Sequence, residues 1–130
     1  MEILQPPGWP RPKGYSNGIS ATGRVIFTGG LVGWDENENF PEVDMAGQAR
    51  RTFENIITVL KEGGAGPEHI VRMTWYITDR DAYLNSVKDI GQAYRDVIGR
   101  NFPAMAVVQV VALMEAEALL EIEVTAVVPE

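Results

Sequence analysis

The sequence predicts an α+β fold in which two helices cover one face of a mixed sheet. Apolar residues recur at helical spacing in only two segments, 45–60 and 83–97, while the period-two or doubly apolar runs 70–79, 106–113 and 118–128 read as strands. The order is β-β-α-β-α-β-β, with no repeats and no low-complexity segment. Two helices are too few for both faces of a five- or six-stranded sheet, so one face is left over and needs a partner.

Each element has a local cause. Residues 1–13 form a proline-rich lead with no long apolar run, and we expect residues 1–130 to be a single domain. "YSNGIS" and "RVIFTGGLVG" are short β-prone runs joined by the turn signal "ATG", an expected opening hairpin. "DENENFPEVD" is a polar loop. Asp44 is an N-cap candidate for a helix whose inner stripe is Met45, Ala49, Thr52, Phe53, Ile56 and Leu60, ended by Gly63-Gly64. Gln48, Arg50 and Arg51 read as its solvated face. In "HIVRMTWYITD", Val71, Met73, Trp75 and Ile77 alternate with Arg72, Thr74, Tyr76 and Thr78, which is a strand with Trp75 on the core side.

A second helix follows, capped by Asp79 or Asp81, with Tyr83, Leu84, Val87, Ile90, Tyr94 and Val97 inward. Pro103 cannot sit inside a central strand and marks the entry to the next one. That places Met105 at the mouth of a strand, where a cleft often lies. In the last strand, Leu120, Ile122, Val124, Ala126 and Val128 share one face, and Glu121, Glu123 and Thr125 share the other. The two carboxylates are an ordinary polar edge if that face is solvated. If it is an interface, at least one of them is held at a cleft and suited to orienting water or moving a proton.

Composition narrows the function classes. Eleven Lys and Arg against 18 Asp and Glu give a formal charge of −7 over 130 residues, which opposes binding to phosphate backbones and anionic lipid. No nucleic acid and no membrane partner is expected, and no segment approaches the roughly 18 apolar residues of a membrane span. The chain has no cysteine, so thiol nucleophiles, disulfides and cysteine metal sites are excluded, in keeping with a cytoplasmic location. The one histidine, His69, lies on a turn and has no neighbouring ligand or triad partner. "TGGLVG" lacks the Lys-Ser/Thr of a P-loop and a following helix. Neither a metal nor a cofactor is implied.

Taken in series, "YSNGI", "IFTGGLVGWD", "QARRTFENIITVLKEGGAGPEHIVRMTWYITD", "NFPAM" and "LLEIEVTAVV" resemble the successive blocks of the reactive-intermediate deaminase family, RidA or YjgF-like. The resemblance runs from about Gly14 to Val128. It implies a chorismate-mutase-like fold assembled as a homotrimer whose sheets form a central barrel, with small-molecule clefts between adjacent subunits. It also implies that Glu121 orients the water that attacks an imine carbon, and that Tyr15, Gly30, Met105 and Gln109 line the substrate cleft. In the family's active deaminases the block matching "NFPAM" ends in an arginine that holds a substrate carboxylate. Met105 departs from that pattern, and Arg24 or Arg72 is a candidate replacement.

Two functions follow from the resemblance. One is a hydrolytic deaminase of a small imine or enamine with altered specificity. The other is a non-catalytic trimer that binds a small ligand or a protein in the same clefts.

Overall fold

In the computed structural model, which describes residues 1–130, a four-stranded sheet runs in the order β3-β6-β4-β5. Its strands are β3 (Arg24–Phe27), β4 (Ile70–Ile77), β5 (Ala104–Gln109) and β6 (Leu120–Val128). β6 is antiparallel to β3 and β4, whereas β4 and β5 are parallel, as their helical crossover requires. The expected α+β class with a mixed sheet and two main helices is therefore present.

Helix α1 (Met45–Glu62) begins where expected: the Asp44 carboxylate accepts from the Gly47 N–H at 2.8 Å, and Gly63 closes the last turn. It lays Ala49, Phe53, Ile56 and Leu60, all fully buried, against Met73, Trp75, Ile122, Val124 and Ala126 of the sheet. Phe53 is the hub, meeting Trp75 edge-on at 5.5 Å and Tyr94 at 5.4 Å. Gln48 is not on a solvated face. It is buried, its amide donates to the carbonyls of Glu42 and Glu117, and its Oε1 accepts from the Leu119 N–H. A buried amide satisfied on both ends pins the entry of β6 to the helix.

Other expectations change. The opening hairpin does not form: β2 (Gly18–Ser20) pairs antiparallel with β1 (Glu2–Leu4), inside the proline-rich lead, and β3 pairs with β6 instead. The second helix is split at Ser86 into α2 (Arg80–Asn85), capped by the Asp79 carboxylate, and α3 (Val87–Val97). At the break Leu84 and Val87 turn outward, and only Ile90, Ala93 and Tyr94 of α3 are buried. A register shift between Ile70 and Arg72 puts Ile70 rather than Val71 in the core. β5 ends at Gln109, so residues 110–113 are not strand.

Candidate functional site

Period-two alternation gives the sheet two different faces. The face away from the helices carries Arg72, Thr74 and Tyr76 of β4 beside Glu121, Glu123 and Thr125 of β6, with Val25 and Phe27 of β3 on the flank. The Tyr76 hydroxyl donates to Glu123 Oε1 at 2.8 Å, and this bond, strengthened by the carboxylate charge, raises the tyrosine's pKa. Glu121, half-buried two residues away, has no such partner.

Glu121 is positioned by the segment that extends β3. Thr28 donates its N–H to the Val124 carbonyl, and its hydroxyl accepts from the Val124 N–H at 3.0 Å. Leu31 and Ile122 then exchange a pair of backbone hydrogen bonds at 2.8 and 2.9 Å. Gly30, between these anchors, lies against the Glu121 carboxylate so closely that a Cβ would collide with it. A side chain at this position would have to displace the Glu121 carboxylate. The structure thus brings together two of the residues singled out in the sequence, Glu121 and Gly30.

Met105 lies elsewhere. It pairs with Met73, which pairs with Val124, so it is two strands from β6 and its parity puts its side chain on the helix side. By strand geometry Glu121 and Met105 are roughly 10 Å apart across the sheet and about as far along it, on opposite faces. One small molecule does not touch both within one chain. Tyr15 stays near Met105: Ser16 bridges to Ala104, and the Ser16 hydroxyl donates to the Phe102 carbonyl. Tyr15 faces a surface cleft that also holds Arg11 and Arg100. Gln109, at the far end of β5, accepts the Arg80 N–H at 2.7 Å and so caps the start of α2.

Within one chain, the two cations named as replacement anchors do not reach Met105. Arg72 projects from the opposite face, lining a shallow cleft with Phe27 and Glu123, and Arg24 is on β3 at the far edge. Sequence reasoning missed Arg95. It lines the same cavity as Met105, together with Trp75, Tyr83, Tyr94 and Phe102. No spacing in the sequence singles it out from the other charges of its helix.

Comparison with known proteins agrees with this architecture. The model of the family described as Endoribonuclease L-PSP matches residues 10–128. A RutC family protein of Pyrococcus abyssi is 33% identical over 90% of this chain and 89% of its own. TdcF of Escherichia coli, provisionally named a reactive intermediate deaminase, is 29% identical over 98% of this chain and 95% of its own. Among solved structures, YyfB of Yersinia pestis, a Rid family protein, superposes with a TM-score of 0.85 at 26% identity, covering 98% of both chains. The structure of E. coli TdcF with bound serine superposes with a TM-score of 0.69 at 28% identity over 98% of this chain and 99% of its own.

Proposed function

The chain belongs to the Endoribonuclease L-PSP family, the RidA/YjgF/RutC group, and from that premise we propose that it is a hydrolytic deaminase of imines or enamines. The observation that carries the reading is Glu121: a half-buried carboxylate held against Gly30, free of any protein partner, on a sheet face with no helix over it. Glu123, its neighbour on that face, is already engaged by Tyr76.

In the reaction Glu121 accepts a proton from water as the oxygen adds to the C=N carbon. That proton goes to nitrogen; Glu121 then takes the hydroxyl proton of the resulting carbinolamine and passes it to nitrogen as the C–N bond breaks, so that ammonia and a carbonyl product leave. The carboxylate ends as it began. That a relative's structure holds serine, a small amino acid, supports a substrate with an amino-acid-like skeleton. Met105 offers an apolar wall where the family's arginine stands, so small anionic imines should be poor substrates.

The site is proposed to be shared between copies in a homotrimer, one supplying Glu121 and Gly30, the next Met105 and Tyr15. Support comes from the separation of the two halves within one chain and from Val25, Phe27 and Val108, which leave apolar surface on the bare face. An RNA-cleaving role fits poorly with a charge of −7 and one histidine engaged with its own turn. The test is a coupled assay in which an amino-acid oxidase generates the imine. Glu121→Gln should abolish the acceleration of ammonia release while the assembly persists. A wild-type trimer inactive on every imine offered would favour the ligand-binding reading.

A further inference from the structure

Beneath Met105, on the helix side of the sheet, lies a cavity of about 160 Å³. Its walls are aromatic: Trp75 meets Tyr83 edge-on with centroids 6.1 Å apart, and Tyr94 stacks on Phe102 at 6.1 Å. An apolar space of roughly 150 Å³ accommodates benzene, so a phenyl-sized group fits.

Two details set this cavity apart from a packing defect, the glycine that borders it and the free cation at its rim. Gly91 sits in mid-helix, where it weakens α3, although a Cβ there would meet only the tip of Arg95, Nη1 at 3.4 Å. Packing within the chain does not demand that glycine, and a large side chain there would narrow the cavity it lines. Arg95 is exposed at the rim, forms no ion pair, and bonds only to Gln92 Oε1 at 3.2 Å.

We propose that this cavity is the side-chain pocket of the substrate site and that Arg95 anchors the substrate carboxylate that residue 105 cannot hold. The substrate class is then a 2-imino acid, or its enamine tautomer, with a phenyl-sized side chain. The inference rests on the deaminase reading for the chemistry, but its binding geometry stands apart. The guanidinium gives a charge-assisted contact at the rim, and a bound ring packs among Trp75, Tyr83 and Phe102.

Binding of stable analogues tests this without catalysis. Titration with 3-phenylpropanoate and with propanoate is followed by calorimetry and by the indole N–H resonance of Trp75, assigned with Trp75→Phe. The aromatic acid should bind at least about tenfold more tightly and shift that resonance. Arg95→Gln should weaken it by roughly tenfold or more, the scale of one charge-assisted contact, and Arg95→Lys should recover part. The uncharged 3-phenylpropanol should bind wild type and Arg95→Gln alike. Gly91→Leu, which fills the space and favours the helix, should remove binding of the aromatic acid while the protein stays folded.

Equal affinity for the two acids, an unmoved Trp75 resonance, or an Arg95→Gln loss as large for the alcohol as for the acid would overturn the assignment. Binding as described in a protein that hydrolyses no imine would leave the pocket standing and retire the deaminase reading. Hydrolysis without binding here would retire the pocket alone.

Discussion

The two faces of the same four strands have opposite characters. Toward the helices, Met73, Trp75, Ile77, Leu120, Ile122, Val124 and Ala126 are all at most 2% exposed. On the other side Phe27 is 75% exposed and Val25 49%, beside a row of polar groups that contains two carboxylates. The first face satisfies the fold of one chain. The second mixes apolar area with unpaired charge, a combination that suits a contact between copies with chemistry at its margin.

If that division is right, mutations on the two faces should fail in different ways. The largest effect on stability is expected from Phe53→Ala in the helix-side core, a loss of about 3–5 kcal/mol in urea unfolding. On the bare face, Phe27→Asp should leave secondary structure intact and reduce the mass by light scattering from trimer toward monomer, because it puts a charge into the proposed interface. A wild-type protein that is a stable monomer at micromolar concentration would break the comparison at once.

Finer substitutions separate contact from chemistry on the bare face. Gly30→Ala pushes the Glu121 carboxylate aside, and we expect imine hydrolysis to fall by on the order of tenfold or more, with little change in thermal midpoint. Tyr76→Phe releases Glu123 alone and should change the rate by less than about threefold, since a bond between exposed groups contributes little. A larger effect of Tyr76→Phe than of Gly30→Ala would exchange the roles of the two carboxylates.

The smallest effect belongs to the exposed pair between Arg50 of α1 and Asp96 of α3, 2.7 Å apart. The Arg50 hydrogen bond, helped by one from Gln92, lowers the Asp96 pKa below its ordinary 3.8. The pair's contribution is therefore complete above that value and disappears as pH falls through the lower folded value. Arg50→Gln should reduce this acid-limb dependence, the Gln92 bond remaining, and leave neutral-pH stability nearly unchanged, as read from thermal midpoints against pH.

The helix-side face was legible in the sequence because burial imposes a period. The α1 stripe, its Asp44 cap and the alternation of β4 and β6 all follow from it. What was not legible has no periodic signal. A three-residue β1 ahead of Pro6-Pro7 has too few residues to alternate, so its pairing with β2 leaves no mark in the sequence. The apolar spacing of 83–97 runs unbroken across Ser86, and the break there shows only when Leu84 and Val87 turn outward. Gln48 looks like any surface amide until the loop at Glu117 reaches it through a contact 69 residues away.

The candidate site was legible in part for the same reason. Residue types at Glu121 and Gly30 could be read locally, and their juxtaposition follows from one antiparallel pairing. The relation of Met105 to them depends on sheet order and parity together, which a strand list does not contain. Arg95 was overlooked because, in the sequence, it is one more charge on a helix.

The central claim, that each site is divided between two copies, has a direct test by subunit mixing. Glu121→Gln and Met105→Glu should each be inactive alone, the second because a carboxylate at the cleft wall repels an anionic substrate. When the two are unfolded together and reassembled one to one, a site joining neighbouring copies regains both intact halves in about a quarter of its occurrences. The measurement is imine hydrolysis by the mixture, relative to wild type refolded in the same way. Recovery of roughly that fraction is the result the account predicts; mixed trimers with no recovered activity would contradict it.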